Sequence, residues 1–451
     1  MLHGPIWNKV PLFALPVAAT AILEQLFNAS DVAIVGNFTG SLRTVAVAAV
    51  GANSAIIHLI VNLFIGIALG ANVVIAHAIG EKNYKNVHTA VHTSIIMSIL
   101  GGVIIAVIGE LIASPLLGAM NMPDDVLPYA LVYLRIYLLG LPVILLYNFE
   151  AAIFRSVGDT KVPLIALASS GVLNILLNLF FVVVFKMTVD GVAIATVISN
   201  AVSAAILYIR LRRTTQVIHV ETRELRIDIT SMKRIIQIGL PAGMQSAVFS
   251  AANILIQSAI NSLGTVVMAA SSAAYNVEMI TYNIHNSFSQ ACTTFVGQNF
   301  GAGKLDRCKR TLGICLVEGL LAVGIAASLI ICFGKEIISL FNSDPEVIEA
   351  GYFRLSVLVV SHLFSQVYEV IAGYLRGFGI SMPPALLTII CICGIRFSWI
   401  YLVFPLSRTF RTIVAVFPIS LASTAVCMVI ALLCYRPAKR FAARAAEKSE
   451  S

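Results

Sequence analysis

Long apolar segments alternate with short polar connections along nearly the whole of this 451-residue chain. Most of these segments have the roughly 20 residues that an α-helix needs to cross a membrane, and the longer ones can tilt or protrude. The pattern therefore predicts an all-α membrane protein with twelve transmembrane helices. The predicted spans are residues 12–36, 45–77, 90–113, 128–152, 162–186, 190–209, 235–262, 267–296, 312–334, 352–374, 385–405 and 411–435.

The second half of the chain repeats the first at a separation of about 220 residues. Three landmarks recur 221 residues apart, and a Leu-Pro pair near the start of each half recurs 225 residues apart. We therefore expect two homologous six-helix bundles, an architecture in which transporters place the substrate path between the repeats. The matched landmarks are Gly80 with Gly301, Arg155–Gly158 with Arg376–Gly379, Pro163 with Pro384, and Leu15-Pro16 with Leu240-Pro241.

The polar segments divide the chain into four parts. We predict an N-terminal six-helix lobe at 1–209, a cytoplasmic linker at 210–234, a C-terminal six-helix lobe at 235–435 and a basic cytoplasmic tail at 436–451. The linker is the longest polar stretch between spans. For the tail, we favour a solvated segment over one that lies on the anionic membrane surface.

Composition and charge support a membrane topology. Hydrophobic residues make up 59% of the chain and charged residues 12%, about half of the roughly 25% that is typical of soluble domains. The net charge of +8 does not indicate a nucleic-acid partner, because 22 of the 30 Lys and Arg residues lie at the termini or in the connections on one side. The positive-inside rule then predicts a multi-pass protein of the cell inner membrane with both termini in the cytoplasm.

Ionisable side chains within apolar spans are costly, so they indicate function by default. Three polar residues of the first span lie at i, i+4 and i+7 and share one helix face, and two asparagines of the fifth span also share a face. A carboxylate with neutral oxygen ligands suits Na⁺, whereas the same carboxylate, desolvated, can instead hold a proton. Alternatively, the asparagines only join helices. The candidates are Glu24, Asn28, Asp31, Asn174, Asn178 and Thr196, with Asn62 of the second span as a candidate cavity residue.

The second half carries polar stripes on its seventh, eighth and tenth spans. Such stripes must face each other or a hydrated cavity, because facing lipid is too costly. They would suit protons or a cationic substrate, although a structural role between helices is the favoured interpretation of the two histidines. The candidates are Asn253, Gln257, Glu278, Tyr282, His285, His362, Gln366 and Glu369.

Together these features resemble the multidrug and toxic compound extrusion (MATE) transporters over essentially the whole chain. The resemblance rests on the Leu-Pro pairs, the first-span sequence from Asp31 to Gly36, the GQNFGAGK turn at 297–304, and the paired turns that end at Gly158 and Gly379. It implies cation-coupled export of amphipathic, often cationic organic compounds, and a V-shaped cavity between two six-helix lobes.

The resemblance also implies residue roles. In the family, an aspartate on the first helix and polar partners on the fifth and sixth helices form the cation site of the N-terminal lobe. Residue by residue, this carries over to Asp31, Asn174, Asn178 and Thr196, of which the first three would be metal ligands if the ion is Na⁺. Some members have a second aspartate where Asn178 stands, so both Na⁺ and H⁺ stay open here.

For the second half, the family often has an acidic residue on the seventh or tenth helix. The seventh span has none here, and Glu369 is the counterpart on the tenth. The assignment of Glu278 to the same cavity comes from its position on a polar stripe and not from the resemblance.

We therefore predict a secondary antiporter that exchanges its substrate for Na⁺ or H⁺ by rocking two lobes around a central cavity. The alternatives are a flippase for a lipid-linked saccharide, which would favour a cavity lined by arginines such as Arg396, and, more remotely, an intramembrane enzyme. The sequence has no HExxH, GxSxG or Walker A motif. We expect no catalytic residues and no cofactor besides the coupling ion. The expected partners are small organic substrates and the lipid bilayer, without nucleic acid, and the expected state is a monomer.

Overall fold

The described part of the chain forms twelve long helices and one short terminal helix. The computed structural model describes residues 1–119 and 123–450, and it describes all of their side chains except those of Ala55, Ala119 and residues 444–450. The part of the chain described in this way contains no strand. The helices are α1 (Lys9–Phe38), α2 (Arg43–Gly80), α3 (Tyr84–Ala119), α4 (Leu127–Val157), α5 (Lys161–Leu179, extended by a π-helical stretch at Phe180–Val184), α6 (Val189–Arg213), α7 (Ile229–Asn261), α8 (Thr265–Gly301), α9 (Leu305–Ser339), α10 (Pro345–Gly377), α11 (Met382–Leu406, interrupted by π-helical stretches at Ile389–Gly394 and Trp399–Val403), α12 (Phe410–Tyr435) and α13 (Pro437–Glu450).

Eleven of the twelve long helices are apolar and long enough to cross a membrane. The exception among the described helices is α8, which has 37 residues but carries polar side chains along its length from Glu278 to Gln290. Its length suffices for a crossing, and short connections join it to α7 and α9, which both qualify as spans. The predicted fold class, an all-α membrane protein with twelve transmembrane helices in two homologous bundles, is confirmed.

The helices group into two compact units. The N-terminal unit comprises residues 19–243, and the C-terminal unit comprises residues 1–18 and 244–451. The unit boundaries lie inside α1 and α7, each two residues after a proline, Pro16 or Pro241. A proline within a helix removes one backbone hydrogen bond and favours bending. Each Leu-Pro pair of the sequence repeat therefore marks the point where a helix passes from one unit to the other.

The N-terminal unit holds the first part of α7 by direct contact between backbones. A Cβ atom added at Gly66 of α2 would lie 2.1 Å from the backbone nitrogen of Gly243, and one added at Gly70 would lie 2.3 Å from the carbonyl oxygen of Ile235. Gly239 and Gly243 of α7 have equally little room against α2. Small residues that let backbones approach are typical of packed membrane helices. These glycines therefore fix α7 onto α2.

The internal repeat is visible in the backbone. Gly158 ends α4 with φ of 93°, and Gly379 follows α10 with φ of 79°. Their N–H groups donate to the carbonyl oxygens of Arg155 and Arg376 at 2.9 and 2.8 Å. Glycine adopts this left-handed conformation without steric cost, so the same turn occurs at the same place in both halves.

The predicted linker is attached to the N-terminal unit. Ile218 and Val220 are buried, and the Glu221 N–H donates to Nε2 of His92 on α3 at 3.1 Å. Further along, the Asp228 N–H donates to Oγ1 of Thr93 at 3.0 Å. Although the segment is mostly polar, two buried apolar side chains and two backbone hydrogen bonds to α3 attach it to this unit.

The tail is folded, contrary to the expectation of a solvated segment. Residues 437–450 form α13, and the Phe441 ring lies 4.8 Å from the ring of Phe300 and 5.7 Å from that of Phe378. Ala438 is buried in the same apolar cluster. The apolar side chains hold the tail against α8 and the turn after α10, which the surplus of basic residues did not indicate. Its last residue, Ser451, lies outside the described residues.

Candidate ion sites in the two units

Asp31 belongs to a closed ring of four polar side chains in the N-terminal unit. It lies on α1 and is only 5% exposed. Asn178 of α5 donates from Nδ2 to Asp31 Oδ1 at 2.5 Å, and Thr196 of α6 donates from Oγ1 to Asp31 Oδ2 at 3.1 Å. Asn174 Oδ1 accepts from Asn178 Nδ2 at 3.2 Å, and Asn174 Nδ2 donates to Thr196 Oγ1 at 3.4 Å. The structure thus brings together all four residues that the sequence proposed for a cation site.

Local features of α5 place the two asparagines. They are spaced at i and i+4, so they share one face of the helix. One turn earlier, a Cβ atom added at Gly171 would lie 1.8 Å from the Phe27 ring of α1, so this glycine lets α5 approach α1 closely. Two residues after Asn178, α5 continues as a π-helical stretch. Such stretches inside helices occur frequently at functional sites.

The ring has the donor set of a site for a hard cation or a proton. Ionised Asp31 only accepts hydrogen bonds, and an amide and a hydroxyl donate to its two oxygens. Asn178 Oδ1 is buried and has no hydrogen-bond partner. Hard cations take oxygen ligands such as carboxylates and amide carbonyls, so this oxygen is available for one. Across the described residues, no group of three or more His, Cys, Asp or Glu could hold a metal ion.

Three other polar candidates of the first half stay outside the ring. Glu24 and Asn28 are exposed, and Asn62 of α2 is half-buried. The spacing predicted one polar face on the first helix, but its residues differ in burial. Asp31 is buried, whereas Glu24 and Asn28 are exposed.

In the C-terminal unit, Glu278 of α8 is bound by two cationic or titratable side chains of α10. Arg354 Nη2 donates to Glu278 Oε2 at 3.2 Å, and His362 Nε2 lies 3.4 Å from Glu278 Oε1. The exposed fraction of the side chain is 13% for Glu278, 5% for Arg354 and 6% for His362. Glu278 is therefore part of a buried ion pair and is not a free carboxylate in an open cavity.

Glu369 of α10 is also paired. Arg376, seven residues later on the same helix, donates from Nη2 to Glu369 Oε2 at 3.2 Å. The arginine side chain is 9% exposed, so the ion pair is largely buried. It neutralises the carboxylate that the resemblance singled out on the tenth helix.

The seventh-helix stripe is divided between two kinds of contact. Asn253 Oδ1 accepts from Arg396 Nη1 at 2.7 Å, whereas Gln257 is exposed and donates to Asn261 Oδ1 at 2.8 Å. Arg396 is 1% exposed, with its guanidinium 5.0 Å from the Phe249 ring and 4.9 Å from the Phe417 ring. It is enclosed by aromatic rings, so it does not line an open cavity.

Tyr282, His285 and Gln366 lie between these charged pairs in α8 and α10. The His285 ring lies 4.9 Å from Tyr282 and 5.2 Å from His362. Gln366 donates from Nε2 to the carbonyl oxygen of Cys315 on α9 at 3.2 Å. Both ring nitrogens of His285 are buried without a hydrogen-bond partner, so the expectation of a satisfied histidine between helices is wrong for this residue.

Sequence reasoning missed three buried residues. Arg354 donates a hydrogen bond to Glu278. Tyr133 of α4 is buried and lies close enough to Asp31 for the two groups to interact electrostatically. Glu150 of α4 is fully buried, and neither of its carboxylate oxygens has a hydrogen-bond partner. An ionisable residue within an apolar span is itself a signal, and it was available for Arg354 and Glu150. For Tyr133 no linear pattern separates a ring near Asp31 from one that only packs.

Comparison with known proteins agrees with the fold and the duplication. The sequence model of the MatE family matches residues 16–180 and 241–402, one segment in each half. The probable multidrug resistance protein YoeA of Bacillus subtilis is 27% identical over 398 residues, which cover 87% of this chain and 85% of YoeA. The probable multidrug resistance protein NorM of Thermotoga maritima is 27% identical over 395 residues, 85% of this chain and 82% of NorM.

A solved structure extends the likeness to the fold. An outward-facing multidrug resistance MATE family transporter of the MOP superfamily matches with a TM-score of 0.88 at 20% identity, covering 97% of this chain and 98% of the other. The family match covers most of this chain and its members are transporters, not enzymes. With two homologous six-helix bundles and a family match in each of them, the chain belongs to the MatE family of multidrug efflux transporters.

Proposed function

We propose that this protein is a secondary antiporter that exports amphipathic, often cationic organic compounds in exchange for Na⁺ or H⁺. The observation that carries the proposal is the Asp31 ring, in which a buried carboxylate accepts hydrogen bonds from two neutral side chains and takes part in none of the ion pairs of the described residues. A carboxylate that lacks an internal counter-ion can bind one from outside. The multidrug names of the relatives support the substrate class.

Coupling requires that the ion and the substrate prefer different conformations, because only differential affinity shifts an equilibrium. We propose that Na⁺ or a proton at Asp31 favours one of two states related by rocking of the two lobes around a central cavity. The ring joins α1, α5 and α6, so binding there acts on three helices at once. The prolines of α1 and α7 are placed where such a motion would bend the connecting helices.

The proposed topology puts both termini in the cytoplasm. It rests on the excess of Lys and Arg in the connections on one side. In this orientation the linker and α13 are cytoplasmic, and the connections from α3 to α4 and from α9 to α10 are external. We further propose that the protein acts as a monomer and binds no nucleic acid.

A flippase for a lipid-linked saccharide receives less support. Its pyrophosphate would need arginines or lysines that line a cavity, and Arg396 was the main candidate. Arg396 is buried between two aromatic rings and bonded to Asn253, and Arg354 and Arg376 are each bonded to a glutamate. The buried arginines are thus already engaged.

The test is dye transport by purified protein in liposomes under an imposed Na⁺ gradient or an imposed pH gradient, without ATP. We expect one gradient to drive export of an ethidium-type cation, and Asp31→Asn to abolish the driven component. Asp306→Asn is the matched control, because it makes the same change at an exposed residue that forms a surface ion pair. If neither gradient moves a cationic dye, the proposed substrate class is wrong. If Asp31→Asn transports like Asp306→Asn, the ring is not the coupling site.

A further inference from the structure

Buried polar atoms without hydrogen-bond partners occur along α8 and α10, and the two histidine rings among them lie 5.2 Å apart. These atoms are both ring nitrogens of His285, Nδ1 of His362, and the Nε atoms of Arg354 and Arg376. Buried polar atoms are normally hydrogen-bonded, and those that are not need an explanation such as bound water or a functional role. The two helices are held together nearby, because Ser289 Oγ donates to the Glu369 carbonyl oxygen at 2.7 Å. The unpartnered atoms therefore lie within a well-packed interface.

Charge balance assigns the protonation of His362. Glu278 is paired with Arg354 at 3.2 Å, so the pair is neutral without any charge on the histidine. An ionised carboxylate only accepts hydrogen bonds, so His362 Nε2, 3.4 Å from Glu278 Oε1, carries the hydrogen. In neutral imidazole the other nitrogen, Nδ1, then has a free lone pair. This nitrogen is buried and has no partner, so it can accept a proton.

His285 adds a second titratable ring, 5.2 Å from His362 between centroids. Two cations this close would repel each other, so the pair is suited to hold one proton. The cation formed would face the carboxylate of Glu278, whose side chain is 13% exposed.

The charged and titratable groups around this pair come from four helices. Besides Glu278, α8 contributes Tyr275 and Tyr282, and α10 contributes Arg354 and Glu369. Arg396 of α11 lies close enough for the charge of Glu278 to act on it. From α9 come Cys315, whose carbonyl accepts from Gln366, and Glu318, one turn later.

We propose that His285 and His362 form a proton-binding site of the C-terminal unit, which takes up one proton on a ring nitrogen and holds it against Glu278. The proton comes from hydronium in the aqueous phase, which becomes water, and it forms an N–H bond with the lone pair of the ring nitrogen. The imidazolium then faces Glu278 Oε1, while Arg354 binds Oε2. The site lies in a different unit from Asp31. The transporter would thus have a second ion-binding site. Proton binding at this site does not depend on the identity of the proposed substrate.

The test is a pH titration of protein labelled with ¹³C and ¹⁵N only at histidine, followed by solid-state NMR in liposomes. Of the eight histidines, we expect His362 or His285 to change from the neutral to the cationic form between pH 9 and pH 5. The variants His362→Gln and His285→Gln assign the signals, because each variant loses the signal of the residue that it replaces. Glu278→Gln should lower the midpoint of the titrating histidine by at least one pH unit, a tenfold loss in proton affinity. His219→Gln, in the linker, is the control that removes a histidine of the other unit.

Each outcome decides the proposal independently of transport. It is overturned if all buried histidine signals stay neutral to pH 5 in the wild-type protein, or if Glu278→Gln leaves every midpoint unchanged. The wild-type spectrum decides the first of these outcomes even if a variant does not fold. If the pair titrates but no gradient drives transport, the proton site stands and the proposed function fails.

Discussion

Asp31 and Glu278 are both carboxylates within membrane helices, but different side chains hold them. Asp31 receives hydrogen bonds from a neutral amide and a neutral hydroxyl, whereas Glu278 receives one from Arg354. The first arrangement leaves the negative charge without an internal counter-ion, and the second cancels it. This difference explains why we assign ion binding to Asp31 and proton binding to the histidines beside Glu278.

The Glu278–Arg354 pair leads to a prediction at the residue scale. Removing one partner of a buried ion pair leaves the other charge uncompensated and typically costs about 3–5 kcal/mol, whereas replacing both is far less costly. We expect Arg354→Met alone to lower the free energy of unfolding strongly, and Glu278→Gln with Arg354→Met to recover most of the loss. Denaturant unfolding of the detergent-solubilised protein measures both. Additive losses in the double variant would mean that the two side chains are not coupled.

At the scale of the helix, the approach of α7 to α2 depends on glycine. A Cβ atom added at Gly243 would lie 2.2 Å from the carbonyl oxygen of Leu63, a backbone atom that cannot rotate away. We therefore expect Gly243→Ala to separate the two helices and to reduce the yield of folded protein severalfold. Gly324→Ala on α9 is the control, because a Cβ atom there meets nothing within 4 Å. Comparable yields of monodisperse protein for the two variants would contradict the close contact.

The start of α7 depends on a side-chain cap. Asp228 Oδ2 accepts from the Ser231 N–H at 2.7 Å, and hydrogen bonds from the backbone and side chain of Ser231 hold the pKa of Asp228 below its usual value. Asp228→Ala should cost about 1 kcal/mol of local stability, seen as faster amide hydrogen exchange in the first turn of α7. Because this pKa is lowered on folding, the contribution is present above the unfolded pKa and is lost as pH falls through the folded pKa. Asp228→Asn should retain most of the cap, and exchange as fast as in Asp228→Ala would argue against this role.

At the scale of the whole molecule, two helices connect the units. α1 and α7 pass from one unit to the other two residues after Pro16 and Pro241. Alanine at either position restores a backbone hydrogen bond, and a proline inside a regular helix costs about 3 kcal/mol relative to alanine. If bending at these points accompanies transport, Pro16→Ala and Pro241→Ala should raise the unfolding temperature and slow dye export severalfold. Pro115→Ala is the control, because Pro115 lies inside α3 within one unit; equal slowing in all three would contradict a specific role.

Much of this protein is determined by the sequence alone. The number and type of helices follow from apolar segments of membrane-spanning length, because a chain in lipid must satisfy its backbone hydrogen bonds internally. The duplication is recorded in the recurring Leu-Pro pairs and Arg-x-x-Gly turns. The Asp31 ring was also accessible, since one carboxylate and two asparagines at helical spacing are rare in such segments and the resemblance supplied the pairing of their helices.

The tertiary structure decided which ionisable groups meet. The pairing of Arg354 with Glu278 and the placement of Arg396 between aromatic rings depend on the rotation and depth of neighbouring helices, which the pattern within one helix does not determine. For the same reason the sequence placed the limits of the lobes in polar segments, whereas the compact units divide inside α1 and α7. Local periodicity determines the elements and their faces, but only packing between helices determines which face meets which charge.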